Sequence, residues 1–148
     1  MPRLMSVALT TQGVRERRKT VTRRLGWWRD RRGRLILSPG DHLTLCPKVQ
    51  GRRRPDGTVE PLVRLAEVQV ISVRRERLWC ITDADILREA VDRTDWAEVY
   101  EEHEDPRMVG QPTPQAWVWW YCEAFGCDPH TEVTRIEWRY LDEEVAGG

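Results

Sequence analysis

Residues 17–24, Arg-Arg-Lys-Thr-Val-Thr-Arg-Arg, gather the side chains of this chain best suited to chemistry. Lys19 is one of two lysines among 24 basic residues, the other 22 being arginine. Arginine keeps its proton near neutral pH, whereas lysine releases its proton once its surroundings lower the pKa. Beside Lys19 stand two hydroxyls, Thr20 and Thr22, and two guanidinium groups, Arg23 and Arg24, that suit an anion. On a strand, Thr20, Thr22 and Arg24 share one face and Val21 and Arg23 the other. Lys19 falls at the turn into that strand, where strict alternation does not bind it and its amine can swing toward Thr22.

The elements that must position these groups are legible as patterns. A short helical pattern over 10–18 runs directly into the strand, and residues 5–10 read as a strand before it. After it, Leu25 to Arg34 reads as a loop or hairpin arm. Its Trp27 and Trp28 could stack on bases while neighbouring arginines meet phosphates, or they could form a hydrophobic lid. Ser38-Pro39-Gly40-Asp41 is a turn, followed by a strand at 42–46. A long hairpin then has its tip at 51–57, where Arg52, Arg53 and Arg54 either grip phosphate or are simply solvated, and its return strand over 62–73. Thr82 opens a helix over 83–93 with Asp83 and Asp85 in its first turn, where carboxylates favour the helix dipole. Its apolar residues leave Glu89 near the edge of the buried stripe. An acidic segment covers 96–105. A helix over 114–125 then carries Trp117, Trp119, Trp120, Tyr121 and Phe125, a surface that must pack on a sheet or line a pocket. Gly126 stops it, and 131–141 reads as the last strand, with Val133 and Ile136 in the core.

A length of 148 residues fits one domain over 1–148, with a core at about 5–141 and a flexible tail at 142–148. No apolar run reaches the roughly 20 residues of a membrane span, and no secretory signal pattern is present, so a cytoplasmic protein with no membrane partner and four free cysteines is expected. Residues 1–77 hold 19 Lys/Arg against 7 Asp/Glu, and 78–148 hold 5 against 17. That division fits a basic surface facing a polyanion, and equally a pairing of the two halves within the molecule. Cys122, Cys127 and His130 have metal-binding types but no clear fourth ligand, and His42 and His103 have no partner at motif spacing; no metal or cofactor is expected.

The order of elements, the Lys-x-x-Thr-x-Arg strand, the Pro-Gly-Asp strand, the Ile81-Thr82-Asp83 helix start and the aromatic helix together resemble the ASCH domain of the PUA-like superfamily over about 5–141. Lys19 and Arg24 stand at the Lys and Arg of that family's Gly-x-Lys-x-x-Glu-x-Arg signature, with Thr22 in place of Glu and Arg17 in place of Gly. The stretch Lys19 to Arg24 is similar to the Lys-Thr-x-Thr-x-Arg of the small ASCH enzymes that hydrolyse N4-acetylcytidine, and Glu89 follows Thr82 at the spacing of their catalytic glutamate. The resemblance implies an α+β fold, a small PUA-like β-barrel with flanking helices, and a basic cleft that binds RNA, a nucleotide or a modified nucleobase. For an amidohydrolase it implies Thr22 as nucleophile, Lys19 as its base, Glu89 orienting Lys19 or protonating the leaving amine, and Arg24 holding an oxyanion or phosphate. The same residues also fit a binding cleft in which Lys19 and Glu89 are an ordinary ion pair. A third reading makes the tryptophan-rich helix a docking face for a protein partner.

Overall fold

The computed structural model describes residues 2–48, 54–59, 61–91, 106 and 110–142. The hairpin residues Arg52 and Arg53, the acidic segment 96–105 with His103, and the tail 143–148 lie outside the described residues. Five strands form one mixed sheet in the order β1-β3-β4-β5-β2: β1 (Arg3–Ser6), β2 (Val21–Arg24), β3 (His42–Cys46), β4 (Ala66–Arg77) and β5 (Glu132–Tyr140). Among the described residues three α-helices accompany it, α1 (Thr11–Arg15), α2 (Asp83–Glu89) and α3 (Pro114–Phe125). Among the described residues no helix is long and apolar enough to cross a membrane.

The fold is α+β, but the expected β-barrel is not formed. Among the described residues the sheet ends at β1, which pairs only with β3 in parallel, and at β2, which pairs only with β5. Closure would need a ladder between those two four-residue edges. Instead one side chain spans them, Arg24 donating from Nη2 to the Ser6 carbonyl. Beyond Ser6 the chain turns into a 3-10 segment at Ala8–Thr10 rather than continuing the strand expected over 5–10.

Strand β5 organises the interior because both of its faces are covered. Ile136, Trp138 and Tyr140 join Met5, Leu43, Leu45 and Val68 in the main core, while Val133 packs with Leu78, Ile86, Trp117 and Tyr121 beneath α2 and α3. The period of two then sends Arg135, on the face of Val133, toward α2. The return strand β4 starts later than expected and runs on through Arg77. A register shift between Val70 and Ser72 leaves Ile71 exposed, and the polar run from Arg74 stays extended because β5 supplies a partner for each residue.

Helix α2 is shorter than the pattern over 83–93 suggested. Thr82 caps its start, Oγ1 accepting from Asp85 N, and Ala90 ends it in the left-handed conformation at φ 50°. The carbonyls that a helix end leaves without partners are taken here by the 19–20 segment. Thr20 N–H donates to Arg88 O at 2.9 Å, and Lys19 Nζ donates to Glu89 O at 2.8 Å. Gly13 permits this approach: a Cβ there would stand 2.6 Å from Ala90 Cβ and 2.9 Å from Ala90 O. Gly13→Ala is therefore expected to destabilise the protein by about 1–3 kcal/mol through overpacking. A thermal unfolding midpoint no lower than that of the unchanged protein would contradict this contact.

The helix-to-strand turn is made at Arg17, φ 62°, the left-handed geometry a glycine adopts without strain. Arg17 holds it through its backbone N–H and Nη1 on Val14 O, a salt bridge to Asp142 and a guanidinium over the Tyr140 ring. That accounts for an arginine at this turn.

Candidate functional site

The gap between the two sheet edges opens into a cavity of about 360 Å³. One side is the chain leaving β1, Ser6 to Thr10; the opposite side is Lys19 and residues 22–25 with Trp27; Glu89 and Val91 close the end of α2, and Trp117, Trp120, Tyr121 and Phe125 of α3 form a wall. Thr22, Lys19, Glu89, Arg23, Arg24 and Trp27 thus line one cleft. Thr20, Trp28 and Arg54 do not line it: Thr20 is committed through its backbone to Arg88 and Trp138, Trp28 lies under the Arg29 guanidinium, and Arg54 closes an exposed turn with Thr58.

Lys19 is 1% exposed. Its Nζ donates to Val21 O at 2.9 Å, Glu89 O at 2.8 Å and Glu89 Oε1 at 3.3 Å, a full use of the three ammonium hydrogens. Burial drives its pKa down from 10.5 to about 8, against the pull of Glu89 and with a push from Arg24. Its backbone carbonyl is fixed by Trp138 Nε1 and the Tyr140 hydroxyl. No hydrogen bond joins Lys19 to Thr22. Thr22 Oγ1 instead accepts from Arg24 Nε at 3.2 Å.

Glu89 lies at the bottom of an ionic cluster. Its Oε1 faces Lys19 and its Oε2 accepts from Arg23 Nη1 at 3.0 Å. Arg23 also donates to Glu76 and to Asp85, so its guanidinium is spent on three carboxylates rather than turned to a ligand. The β2–β5 register sets Arg23 directly opposite Arg135, a like-charge pair that would repel. Asp85 resolves it, accepting from Arg23 Nη2 at 2.5 Å and from Arg135 Nε at 2.7 Å. Burial works against the Asp85 carboxylate, yet the hydrogen bonds from Arg135 and Arg23 outweigh it and hold its pKa well below the usual range. Sequence reasoning read Asp85 only as a first-turn acid favouring the helix dipole and missed Glu76 and Arg135, because this cluster depends on strand register.

Of the cleft's cations, then, Lys19 and Arg23 are ion-paired, and Arg24 forms no ion pair with a carboxylate among the described residues. The surface of the cleft is mainly aromatic and apolar with one available guanidinium. Desolvation lowers the Arg24 pKa from its ordinary value. The opposed charges of the two halves of the chain meet in part within the molecule, as Lys19 with Glu89, Arg23 with Asp85 and Glu89, Arg17 with Asp142 and Arg75 with Glu132.

Trp27 is aimed by two successive left-handed residues, Gly26 at φ 76° and Trp27 at φ 58°, pinned by the Thr134 hydroxyl on Gly26 O. On α3, positions 117, 120, 121 and 125 fall on one helical face. Trp117 stacks on Tyr121 with centroids 5.3 Å apart, Tyr121 contacts Phe125 at 4.5 Å, and the Tyr121 hydroxyl donates to Arg23 O. Trp117 and Tyr121 are buried and Trp120 lines the cleft, so this face of α3 serves the interior and the cleft, while Trp119 stays exposed on the other side. Trp117 Nε1 is buried without a hydrogen-bond partner, a state that costs about 1–3 kcal/mol. Cys122 and Cys127 lie close together at the end of α3, where burial and Cys127 push the Cys122 thiol up to about 11. Among the described residues no group of three or more His, Cys, Asp or Glu side chains is placed to hold a metal.

The chain is similar to solved structures. Protein EF3133 from Enterococcus faecalis V583, of the DUF984 family model, matches over 95% of this chain and 80% of its own at TM-score 0.55 and 12% identity. The likeness is one of fold. An ASCH domain from Lactobacillus crispatus JV V101 matches over 88% of this chain and 69% of its own, at 10% identity and a TM-score of 0.46, too low to carry an argument. No protein-family model and no curated protein matches the chain.

Proposed function

We propose that the cleft binds a nucleoside or nucleotide by its base. The observation that carries this reading is the aromatic slot, in which Trp27 after β2 and Trp120, Tyr121 and Phe125 on α3 line the same cavity as the polar pair Thr22 and Arg24. Planar rings stack on such walls, and about 360 Å³ suits a small ligand. The similarity of Lys19 to Arg24 to the Lys-Thr-x-Thr-x-Arg stretch supports the same class of ligand. A free nucleoside or mononucleotide is favoured over an RNA strand, because the Lys19 and Arg23 charges are already spent on Glu89. Intrinsic fluorescence tests it: Trp27 and Trp120 should respond to added nucleoside with a saturable change that salt barely moves. Binding of oligonucleotides alone, falling steadily with salt, would replace the mononucleotide with a strand.

A second reading, hydrolysis of an N4-acyl cytidine, rests on a separate observation: Lys19, with its pKa near 8, shares the cleft with Thr22 and Glu89. In that reaction Thr22 Oγ1 bonds to the acyl carbon while Lys19 takes the hydroxyl proton. The bond from that carbon to N4 breaks, the amine leaves with the proton, and water releases the acyl group from Thr22. Lys19 must first release one of its three acceptors and turn toward Thr22. Incubation with N4-acetylcytidine and chromatography for cytidine should then show a rate that rises with pH and is half-maximal near 8. Lys19→Arg should abolish it, since a guanidinium keeps its proton. Absence of released cytidine would leave the binding reading alone.

A further inference from the structure

We infer that the cleft recognises its ligand through hydrogen-bond acceptors on the ligand, with the Trp117 indole N–H as a specificity-determining donor. The inference rests on the nucleoside reading and adds to it the polarity of the edge that is read. Trp117 lines the cleft, is 1% exposed, and among the described residues its Nε1 is a buried side-chain polar atom with no hydrogen-bond partner. An indole nitrogen donates and cannot accept. Packing of Trp117 with Leu78, Ile86 and Tyr121 accounts for the bulk of the ring and leaves the unpaired N–H unaccounted for. The rest of the lining has the same polarity. Thr22 Oγ1 already accepts from Arg24, which leaves its hydroxyl hydrogen to donate. The Arg24 guanidinium uses Nε on Thr22 and Nη2 on Ser6 O, and its Nη1 donors are uncommitted. The cleft's one carboxylate is already engaged, its two oxygens accepting from Lys19 and Arg23, and the Ser6 carbonyl accepts from Arg24. A ligand edge carrying carbonyl oxygens or unprotonated ring nitrogens, such as O2 and N3 of cytosine or two oxo groups of uracil, completes these donors. An amine-rich edge leaves them unmatched.

The test replaces the N–H and keeps the ring. Trp117 is exchanged for β-(3-benzothienyl)alanine, in which sulfur stands for the nitrogen, with Trp117→Phe as the genetically encoded counterpart. Cytidine and uridine are titrated into each protein, and thermal midpoints are recorded alongside. The expected result is an affinity about tenfold weaker in the benzothienyl protein with a midpoint equal to or above that of the unchanged protein, because the variant is relieved of an unpaired donor. A purely structural tryptophan would give the opposite pattern, a lower midpoint with unchanged affinity, and that would overturn the inference while leaving the nucleoside reading standing. Failure of the unchanged protein to bind either nucleoside would overturn both.

Discussion

Asp85→Ala is expected to lower the unfolding free energy by about 3–5 kcal/mol, the cost of breaking a buried ion pair by removing one partner. The carboxylate separates Arg23 from Arg135 across the β2–β5 ladder, and without it two guanidinium groups face each other nearly buried. Glu76 and Glu89 still pair with Arg23, but among the described residues Arg135 retains only Glu137, at 3.3 Å. Acid should expose the same dependence. The folded pKa of Asp85 lies below its unfolded value, so its contribution is complete above about pH 4 and is lost as pH falls toward the folded value. Urea denaturation from pH 7 down to 3 should show a fall in stability that Asp85→Asn flattens; parallel curves for the two proteins would contradict the assignment.

The second large effect belongs to Lys19. Lys19→Met keeps the length of the side chain but strips Glu89 Oε1 of its buried cation and leaves the Val21 and Glu89 carbonyls without their donor. A loss of about 3–5 kcal/mol at pH 7 is expected, read from the denaturation midpoint. The pH dependence runs opposite to that of a stabilised lysine. Because the folded pKa is depressed from 10.5 to about 8, the unfolded chain binds more protons between those values. Stability from this group therefore rises as pH goes from about 8 to 10.5, and Lys19→Met should remove that rise. A wild-type curve that falls across this window relative to the variant would mean that the lysine titrates high, and would take away its candidacy as a base.

How much of this could be read from the chain depended on how local each signal is. The Pro39-Gly40-Asp41 turn placed strand β3 at His42–Cys46, and Gly126 stopped α3 at Phe125, because caps and turns act over a few residues. The open sheet was not legible: the resemblance implied closure, whereas the chain leaves β1 at Ser6 and the gap is filled by Arg24 and the cleft. Nor was the end of α2, since apolar residues continue to Val91 while the actual stop comes from Lys19 and Thr20 capturing carbonyls from a segment some seventy residues away. Within the candidate site, Lys19, Thr22, Arg24 and Trp27 were marked by residue type and pattern, and Glu89 by the resemblance. Arg23 was marked for ligand binding and proves committed to Glu76, Asp85 and Glu89. Which of two adjacent arginines meets a carboxylate is decided by the face of β2 and by what α2 sets opposite it, and neither is written in the local sequence.

The central claim, that the slot between the sheet edges takes a nucleobase, is tested most directly by calorimetric titration of cytidine, uridine and their 5′-monophosphates into the unchanged protein and into Trp27→Ala. The account predicts one-to-one binding of at least one of these, weakened roughly tenfold or more when the Trp27 face is removed, as expected for one lost base stack. No heat at millimolar ligand from protein that melts cooperatively, or binding that is indifferent to Trp27, would contradict it.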